Sequence, residues 1–586
     1  MAEGSDSKPQ VTSEPQLASD VADKSLAGPD KTAEAAQSLR NGETEDVDVE
    51  AEKEGEDEDD QGGAAEGGVE ADGTAKPKKK RKPRKKKKKA VDAANTGPKA
   101  EESKAIQKPV NVQDLPALLK QLAMSSESKK EGKAPEDYKF WNTQPVPKFK
   151  EPNLLQTTNG SGGEALPEGP ILPDKVCKAS IKPDPEPLLD GFEWCLVDLD
   201  NPSELHELYD LLYNHYVEDT DGSFRFNYSA KFLAWALKPP GYNKNWHIGV
   251  RAKPTTTTAA AESNAKPGKL VAFIAGVPAK LKVRDATLNI SEINFLTVHR
   301  KLRSKRLAPV LIKEVTRRCY QVGVYQALYT AGTLLPTPVT TARYFHRSLD
   351  WEHLYKTGFS HLPSGTTELR QKYKYRLDSQ TSIKGLRAMR KGDVPAVKAL
   401  LARYLERFAL RQEFEEGELE HWLCSPESEG VVWSWVVEEK GEITDFVSYY
   451  LLESTVLKSA SPTNQQQTIR AAYLSYYASS AAFTPSQNQT QTTTPAPLQP
   501  RLQLLLHNAL ILAKRDAFHV FNALTTMDNP LFLRESKFEP GDGRLHYYLF
   551  NWRTGQVGGG VDEGWNVSAD VEGKGGRMGG VGVVML

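Results

Sequence analysis

"EINFLTVHRKLRSKRLAPVLIKEVTRR", residues 292–318, begins as an apolar strand-like run and ends with apolar residues at helical spacing. Between the two, His299, Arg300, Lys301, Arg303, Lys305 and Arg306 fall within eight positions. The stretch therefore reads as a strand that turns through a basic corner into a helix. Such a corner offers unpaired backbone N–H groups, a positive helix end and side-chain cations, all of which favour a phosphate. At this point nucleic acid, a phosphate-bearing cofactor and a solvated loop are three readings of the same charge.

The chain has 586 residues, enough for two or more domains around a large core. Its 76 Lys and Arg against 77 Asp and Glu leave a formal charge of −1, so only local charge is informative. Cys177, Cys195, Cys319 and Cys424 form no CxxC or CxH pattern. That argues against a zinc site or a disulfide framework and for reduced thiols. The opening residues MAEGSDSKPQ lack the basic-then-apolar pattern of a secretory leader. No apolar run approaches the roughly 20 residues of a membrane span. These features predict a cytoplasmic protein without a transmembrane segment.

Residues 1–110 are rich in Ala, Gly, Ser, Glu and Lys and nearly free of aromatics, so burial would not offset the entropy of ordering them. They read as a disordered tail with an acidic block at 43–60 and the basic block "KPKKKRKPRKKKKK" at 76–89. That block suits rRNA, an acidic protein surface or an import receptor, and equally a solvated tail. With no aromatic among the lysines, it can attract phosphates but not stack on bases.

Beyond residue 115 strand and helix patterns alternate. Helices are predicted at 203–217, 308–323, 393–408 and 502–518, and strands at 325–331 and 519–524. "VVWSWVVEEKGEITDFVSYYLL" (431–452) reads as strand, turn and strand, and "KLVAFIAGVPAKLKV" (269–283) as a hairpin. Low-complexity runs at 253–269 and 484–500 read as surface insertions. The chain ends in a glycine-rich stretch, 554–582, followed by "VVML"; an apolar terminus predicts that the last residues return to the core.

"RSKRLA" (303–308) resembles the R-G-x-G-x-A pyrophosphate turn of acetyltransferases that use coenzyme A, with Ser304 and Arg306 where glycines are common. In such enzymes the preceding strand presents backbone N–H groups to the thioester carbonyl. Here they would come from around Asn294, Phe295 and Leu296, and one well-placed donor is worth about 3 to 4 kcal/mol in the transition state.

Further blocks occur in order: "YKFWNTQPVPKF" (138–149), "YVEDTDGSFRFNYSAKFLAWAL" (216–237), "YTAGTLLPTPVTTARYFHRSL" (329–349), "TDFVSYYLLEST" (444–455) and "KFEPGDGRLHYYLFNWR" (537–553). Together with 292–318 they resemble glycylpeptide N-tetradecanoyltransferase, the eukaryotic N-myristoyltransferase family, from about residue 138 onward. The resemblance implies transfer of myristate from myristoyl-CoA to an N-terminal glycine amine. It implies an α/β (α+β) fold of two related acetyltransferase-like (GNAT-type) halves on one curved mixed sheet. The acyl-CoA half would span 111–375, and 376–586 would complete the peptide groove and supply a catalytic C-terminus. Myristoyl-CoA is the acyl-donor substrate; the family uses no metal and no tightly bound cofactor. Partners would be proteins or nascent chains beginning with Gly, with ribosome contact through 76–89, and the chain is read as a monomer.

Residue by residue, the resemblance puts Tyr138, Lys139, Phe140 and Trp141 beside the CoA and acyl chain. It puts the N–H groups of Phe295 and Leu296 at the thioester oxygen, with Thr297 and Val298 following along the strand. Arg303, Ser304, Lys305, Arg306, Leu307 and Ala308 would cradle the phosphates. Val217, Asp219, Asp221, Phe224, Phe226 and Tyr228 match a loop over the peptide, whose carboxylates suit a basic residue downstream of the glycine. Asn294, Thr330 and Gly332 match positions that hold the glycine end; Tyr344, His346, Ser448 and Tyr473 match the groove, and Gly541, Asp542 and Gly543 a turn beside it. The catalytic base would be the terminal carboxylate, here Leu586.

The chain departs from the family in three ways: Thr297 stands where Cys is usual, two insertions separate blocks, and the glycine-rich stretch is long. Two other functions remain open on sequence. An RNA-binding factor would use 76–89 and 300–306 together and bind with steep salt dependence. An acetyl-CoA enzyme would lack a use for the "YKFW" block and the terminal carboxylate.

Overall fold

The β-branched and aromatic runs form the strands of one curved mixed sheet. In the computed structural model the described residues are 138–148, 167–217, 222–253, 268–457, 467–483, 497–561, 567 and 580–586. Those residues belong to one compact unit. The tail with its charge blocks lies outside them, as do Asp219, Asp221 and most of the two insertions and of the glycine-rich stretch.

The strands are β1 (Phe192–Leu196), β2 (Phe224–Asn227), β3 (His247–Ala252), β4 (Leu270–Val283), β5 (Ala286–Val298), β6 (Gln326–Ala331) and β7 (Thr340–Ser348). They continue with β8 (Leu386–Ala388), β9 (Leu410–Glu413), β10 (Val432–Glu439), β11 (Glu442–Val456), β12 (Thr468–Ser479), β13 (Val520–Leu524), β14 (Glu539–Phe550) and β15 (Val581–Gly582). The spatial order is β1-β3-β4-β5-β6-β14-β7-β13-β12-β11-β10-β8, with β9 on β4, β15 on β9 and β2 on β11.

A repeat is visible in this order. β3, β4 and β5 form an antiparallel meander, the helix Leu307–Gln321 crosses over, and β6 returns parallel to β5. β10, β11 and β12 repeat the meander, the helix Leu498–Arg515 crosses over, and β13 returns parallel to β12. The repeats interlock, because β14 lies between β6 and β7 while β7 also pairs with β13. The fold class expected from the resemblance is observed.

Each crossover helix owes its place to an apolar stripe. Leu307, Leu311, Val315 and Cys319 recur every four residues and are buried, as are Leu498, Leu502, Leu505, Leu506, Ala509, Leu510 and Ala513 of the second helix. The first helix ends before Gly323, whose φ of +79° lies in the left-handed region that terminates helices. The β10–β11 hairpin turns on Lys440 and Gly441, both at positive φ as a two-residue turn of this twist requires.

The hairpin expected over 269–283 does not form. Residues Leu270–Val283 make one long strand, and the turn follows at Arg284 with φ 51°. Gly276 serves close packing instead of a turn, since a Cβ there would lie 2.5 Å from Ser291 Oγ on the neighbouring β5.

Candidate active site

The basic corner takes the shape its sequence implied. β5 ends at Val298, a short 3-10 turn covers Arg300–Leu302, and the helix starts at Leu307. Ser304 (φ 65°) and Arg306 (φ 61°) are both left-handed, which accounts for the glycines common at these two positions of the motif. Arg306 is the N-cap and gives no side-chain cap, so the first turn's N–H groups are not satisfied by it. Arg303 Nη2 donates to the carbonyl of His215 at 2.9 Å, tying the corner to the helix Pro202–His215. Ser304 and Lys305 are exposed, Leu307 is buried, and Ala308 is half-buried.

One turn upstream, β5 is irregular. Ala275 pairs with Asn294 and Phe273 with Thr297, so Phe295 and Leu296 together oppose Ile274. Phe295 has φ 57°, and its backbone N–H lies against the hydroxyl of Tyr216. Burial, opposed by that contact, pushes the Tyr216 phenol up to about 12. Thr297 is buried with Oγ1 donating to the carbonyl of Phe295 at 3.2 Å, and Val298 pairs with Ala272.

A cavity of about 660 Å³ opens beside this bulge. Phe295, Leu296, Asn294, Trp141, Val217, Phe224, Phe226 and Tyr228 line it, as do Thr330, Gly332, Tyr344, His346, Tyr473, Gly543 and Leu586. Residues separated by more than four hundred positions thus meet on one surface. Of the "YKFW" block, Trp141 reaches the cavity. Tyr138 and Phe140 are buried next to it, Tyr138 donating to the carbonyl of Leu334 at 2.8 Å, and Lys139 is exposed. Trp141 stacks on Tyr329, which stacks on Tyr548, with centroids 5.4 and 5.1 Å apart, so three segments build one aromatic wall.

Ser448, Gly541 and Asp542 are not among the residues that line the cavity. Ser448 is fully buried, its Oγ donating to the carbonyl of Tyr476 at 2.8 Å. Asp542 is exposed in a bulge of β14, where Pro540 pairs with Phe345 and Arg544 with Arg343, leaving Gly541–Gly543 out of the ladder. A Cβ on Gly541 would lie 2.3 Å from His346 Nε2, so the ring could not stay in place, and one on Gly543 would press on the Tyr344 ring at 3.2 Å.

Sequence reasoning missed several lining residues. Asn522 on β13 lines the cavity, and its Oδ1 lies 2.7 Å from His346 Nδ1. The amide oxygen makes Nδ1 the protonated nitrogen of a neutral ring. Burial holds the His346 imidazole below its usual range, opposed by Asn522 and by Asp542. Ile312, Val315, Thr316, Cys319 and Tyr320 line the cavity from the crossover helix at 3- and 4-residue spacing, a stripe whose sequence was read only as a helix. Tyr216, Tyr329 and Tyr450 also face it.

The chain end returns to this cavity. β15 runs parallel to β9, Leu410 N–H donates to the Gly580 carbonyl at 3.1 Å, and Met527 N–H to that of Val581 at 2.9 Å. Val584 N–H donates to the Tyr476 hydroxyl at 3.0 Å, which donates in turn to Gln412 Oε1 at 3.0 Å. Tyr547 Oη donates to the Val583 carbonyl at 3.4 Å. Val581, Val583 and Met585 are buried, and Leu586 packs on the cluster that holds Phe295. The apolar ending does return to the core.

Comparison with known proteins bears on this arrangement. Residues 171–342 match the family described as the N-terminal domain of myristoyl-CoA:protein N-myristoyltransferase, and residues 356–584 match its C-terminal domain. The glycylpeptide N-tetradecanoyltransferase of Emericella nidulans is 50% identical over 478 residues, covering 81% of this chain and 88% of that protein. That of Schizosaccharomyces pombe is 45% identical over 480 residues, covering 80% and 95%. The crystal structure of Saccharomyces cerevisiae N-myristoyltransferase with bound myristoyl-CoA superposes with a TM-score of 0.68 at 43% identity, covering 77% of this chain and 100% of that one. No helix among the described residues is long and apolar enough to cross a membrane. On these matches the chain is an acyltransferase and belongs to the myristoyl-CoA:protein N-myristoyltransferase family.

Proposed function

We propose that this chain moves myristate from myristoyl-CoA to an N-terminal glycine by direct attack of the amine, with Phe295 and Leu296 as oxyanion donors and the Leu586 carboxylate as base. The observation that carries this reading is the meeting of the β5 bulge and the chain terminus on one cavity. A left-handed Phe295 turns its N–H away from a regular ladder toward an oxygen at the cavity wall, where Tyr216 supplies one. A thioester carbonyl at that position gains the same donor as its oxygen takes on negative charge.

The glycine amine arrives largely protonated at neutral pH, with a pKa near 8. The Leu586 carboxylate takes that proton and passes it to solvent, and the freed nitrogen attacks the thioester carbon. The tetrahedral intermediate collapses as its second amine proton goes to the departing sulfur, so that CoA leaves as the thiol. No enzyme nucleophile is needed. Asn294, Thr330 and Gly332 hold the glycine end; Val217, Phe224, Phe226, Tyr228, Tyr344, His346 and Tyr473 line the path of the following residues, with Ser448 and the Gly541–Gly543 bulge supporting it. Asp219 and Asp221 favour a basic residue downstream. The phosphates lie on Arg303–Ala308 with Tyr138, Lys139 and Phe140 beside the CoA. The acyl chain, worth about 0.8 kcal/mol per buried CH₂, lies against Trp141 and the crossover helix.

The same reading makes 111–375 the acyl-CoA half and 376–586 the half that completes the groove. It also places the chain as a cytoplasmic monomer that reaches the ribosome through lysines 76–89, in keeping with the free thiols of all four cysteines.

Release of CoA thiol with myristoyl-CoA and a Gly-x-x-x-Ser peptide tests the reading, comparing the full chain with one lacking Leu586. The expected result is a 10²- to 10⁴-fold fall on deletion, the usual range for a lost general base. Deletion moves the carboxylate to Met585, so a partial loss would mean that the tail readjusts, and equal turnover by both chains would show that the position of Leu586 is not needed.

A further inference from the structure

Glu292 lies two residues before Asn294 on β5, so both side chains point to the same face of the strand. Asn294 lines the cavity, and its Nδ2 donates to Glu292 Oε1 at 2.8 Å. The carboxyl in turn acts on tyrosines of three other strands: Tyr450 of β11, Tyr476 of β12 and Tyr547 of β14. All three tyrosines are held neutral far above the ordinary phenol range by burial. Two of them, Tyr476 and Tyr547, are the hydroxyls that hold the chain end. Arg225, Arg544 and the chain end at Leu586 also lie on the cavity wall. The only effects on the Glu292 carboxyl itself are burial, which raises it to about 7, and the Asn294 amide, which opposes the rise.

An amide side chain presents a donor at one end and an acceptor at the other. While Glu292 is ionised it can only accept, so it holds the NH₂ of Asn294 and turns Oδ1 the other way. We propose that Glu292 is a positioning residue for the incoming amine: through this bond it fixes the Asn294 amide with its oxygen toward the cavity, where it accepts from the substrate's N-terminal nitrogen. When Glu292 is protonated it gains an O–H that can donate to Oδ1, so the amide is free to turn over, and an NH₂ then faces the arriving ammonium and repels it. Peptide binding and ionisation of Glu292 therefore favour each other, and the proton released from Glu292 on binding passes to solvent. The inference rests on the reading that Asn294 holds the glycine end.

The test uses the full chain with Glu292→Gln and Asn294→Ala, myristoyl-CoA and a Gly-x-x-x-Ser peptide, from pH 5.5 to 8.5. Glu292→Gln keeps the size of the side chain but leaves either end of the amide free to face Asn294. The expected result is a roughly tenfold loss of peptide kcat/KM at pH 8, myristoyl-CoA affinity within about twofold of the parent, and loss of the acid limb near pH 7. A second measurement needs no turnover: calorimetric binding of the peptide to the complex with a non-transferable thioether analogue of myristoyl-CoA, in buffers of different ionisation enthalpy. The parent releases part of a proton near pH 7, and Glu292→Gln releases less. If Asn294→Ala is impaired while Glu292→Gln keeps the parent's kcat/KM, acid limb and proton release, the inference is wrong and the role of Asn294 stands. If Asn294→Ala is itself unimpaired, the reading of Asn294 falls and the inference with it.

Discussion

The hydroxyl of Tyr476 accepts the backbone N–H of Val584 at 3.0 Å, two residues before the end of the chain. The ring is buried, packs edge-on against Phe414 and donates to Gln412 on the strand that carries β15. A hydroxyl so placed sets the depth at which the last two residues emerge. Tyr476→Phe keeps the packing and removes both hydrogen bonds, worth roughly 1 kcal/mol each. We expect kcat to fall about tenfold while the affinity for myristoyl-CoA is unchanged, and stopped-flow measurement of the acyl-transfer step separates the two. A fall in myristoyl-CoA affinity of the same size would show that the ring supports the whole cavity instead.

Gly541→Ala places a methyl group 2.3 Å from His346 Nε2, 2.8 Å from its Cδ2 and 3.2 Å from the Tyr344 carbonyl. The imidazole must leave its 2.7 Å contact with Asn522. Peptide KM should rise about tenfold, and myristoyl-CoA binding, on the other side of the bulge, should not move. Steady-state kinetics with peptide and acyl donor varied separately distinguishes this from a general loss of fold.

Ser304 bears a left-handed φ of 65° on an exposed corner. Replacing it with glycine removes a steric cost of about 1 kcal/mol, less the extra entropy that glycine gives the unfolded chain. Ser304→Gly should therefore raise the thermal midpoint by about 1 to 2 °C. No change or a lower midpoint would mean the serine side chain makes a compensating bond.

His215 and His299 stand with ring centroids 4.0 Å apart at the basic corner. Burial first, then His299, Arg300, Lys269 and Arg303, hold His215 down at about 4, and burial, then Lys269 and Lys301, lower His299. Both rings are neutral at pH 7 in the free protein. A phosphate beside them favours the charged imidazolium and raises both, so binding takes up protons. The affinity for CoA should therefore rise about threefold as pH falls from 8 to 6.5, and His215→Asn should flatten that slope. Titration calorimetry across that range would falsify the coupling if affinity stayed level.

Much of this arrangement was legible because its elements are local. The strand, basic corner and helix of 292–318 lie in one continuous segment, and the left-handed Ser304 and Arg306 fall where the motif's glycines do. The misread stretch was 269–283, read as a hairpin but folded as one strand in which Gly276 packs closely on Ser291 across the sheet. The side of the site that escaped notice comes from long-range pairing. Asn522 lies in "HVFNAL", an apolar strand with no local sign that its one amide faces a histidine 176 residues earlier. Tyr216, Tyr329 and Tyr450 are likewise indistinguishable from core aromatics until two strands and a helix end are folded together.

The insertion of β14 between β6 and β7 has a consequence for how the chain is made. Synthesis proceeds from the N-terminus, so β6 and β7 leave the ribosome long before Glu539–Phe550 exist to join them. Until then both strands keep an unpaired edge, open to mispairing and to capture by chaperones. Among the described strands, only β15 follows the closing strand in sequence. A nascent copy is thus unfinished as a sheet until β14 has been made and has entered between β6 and β7.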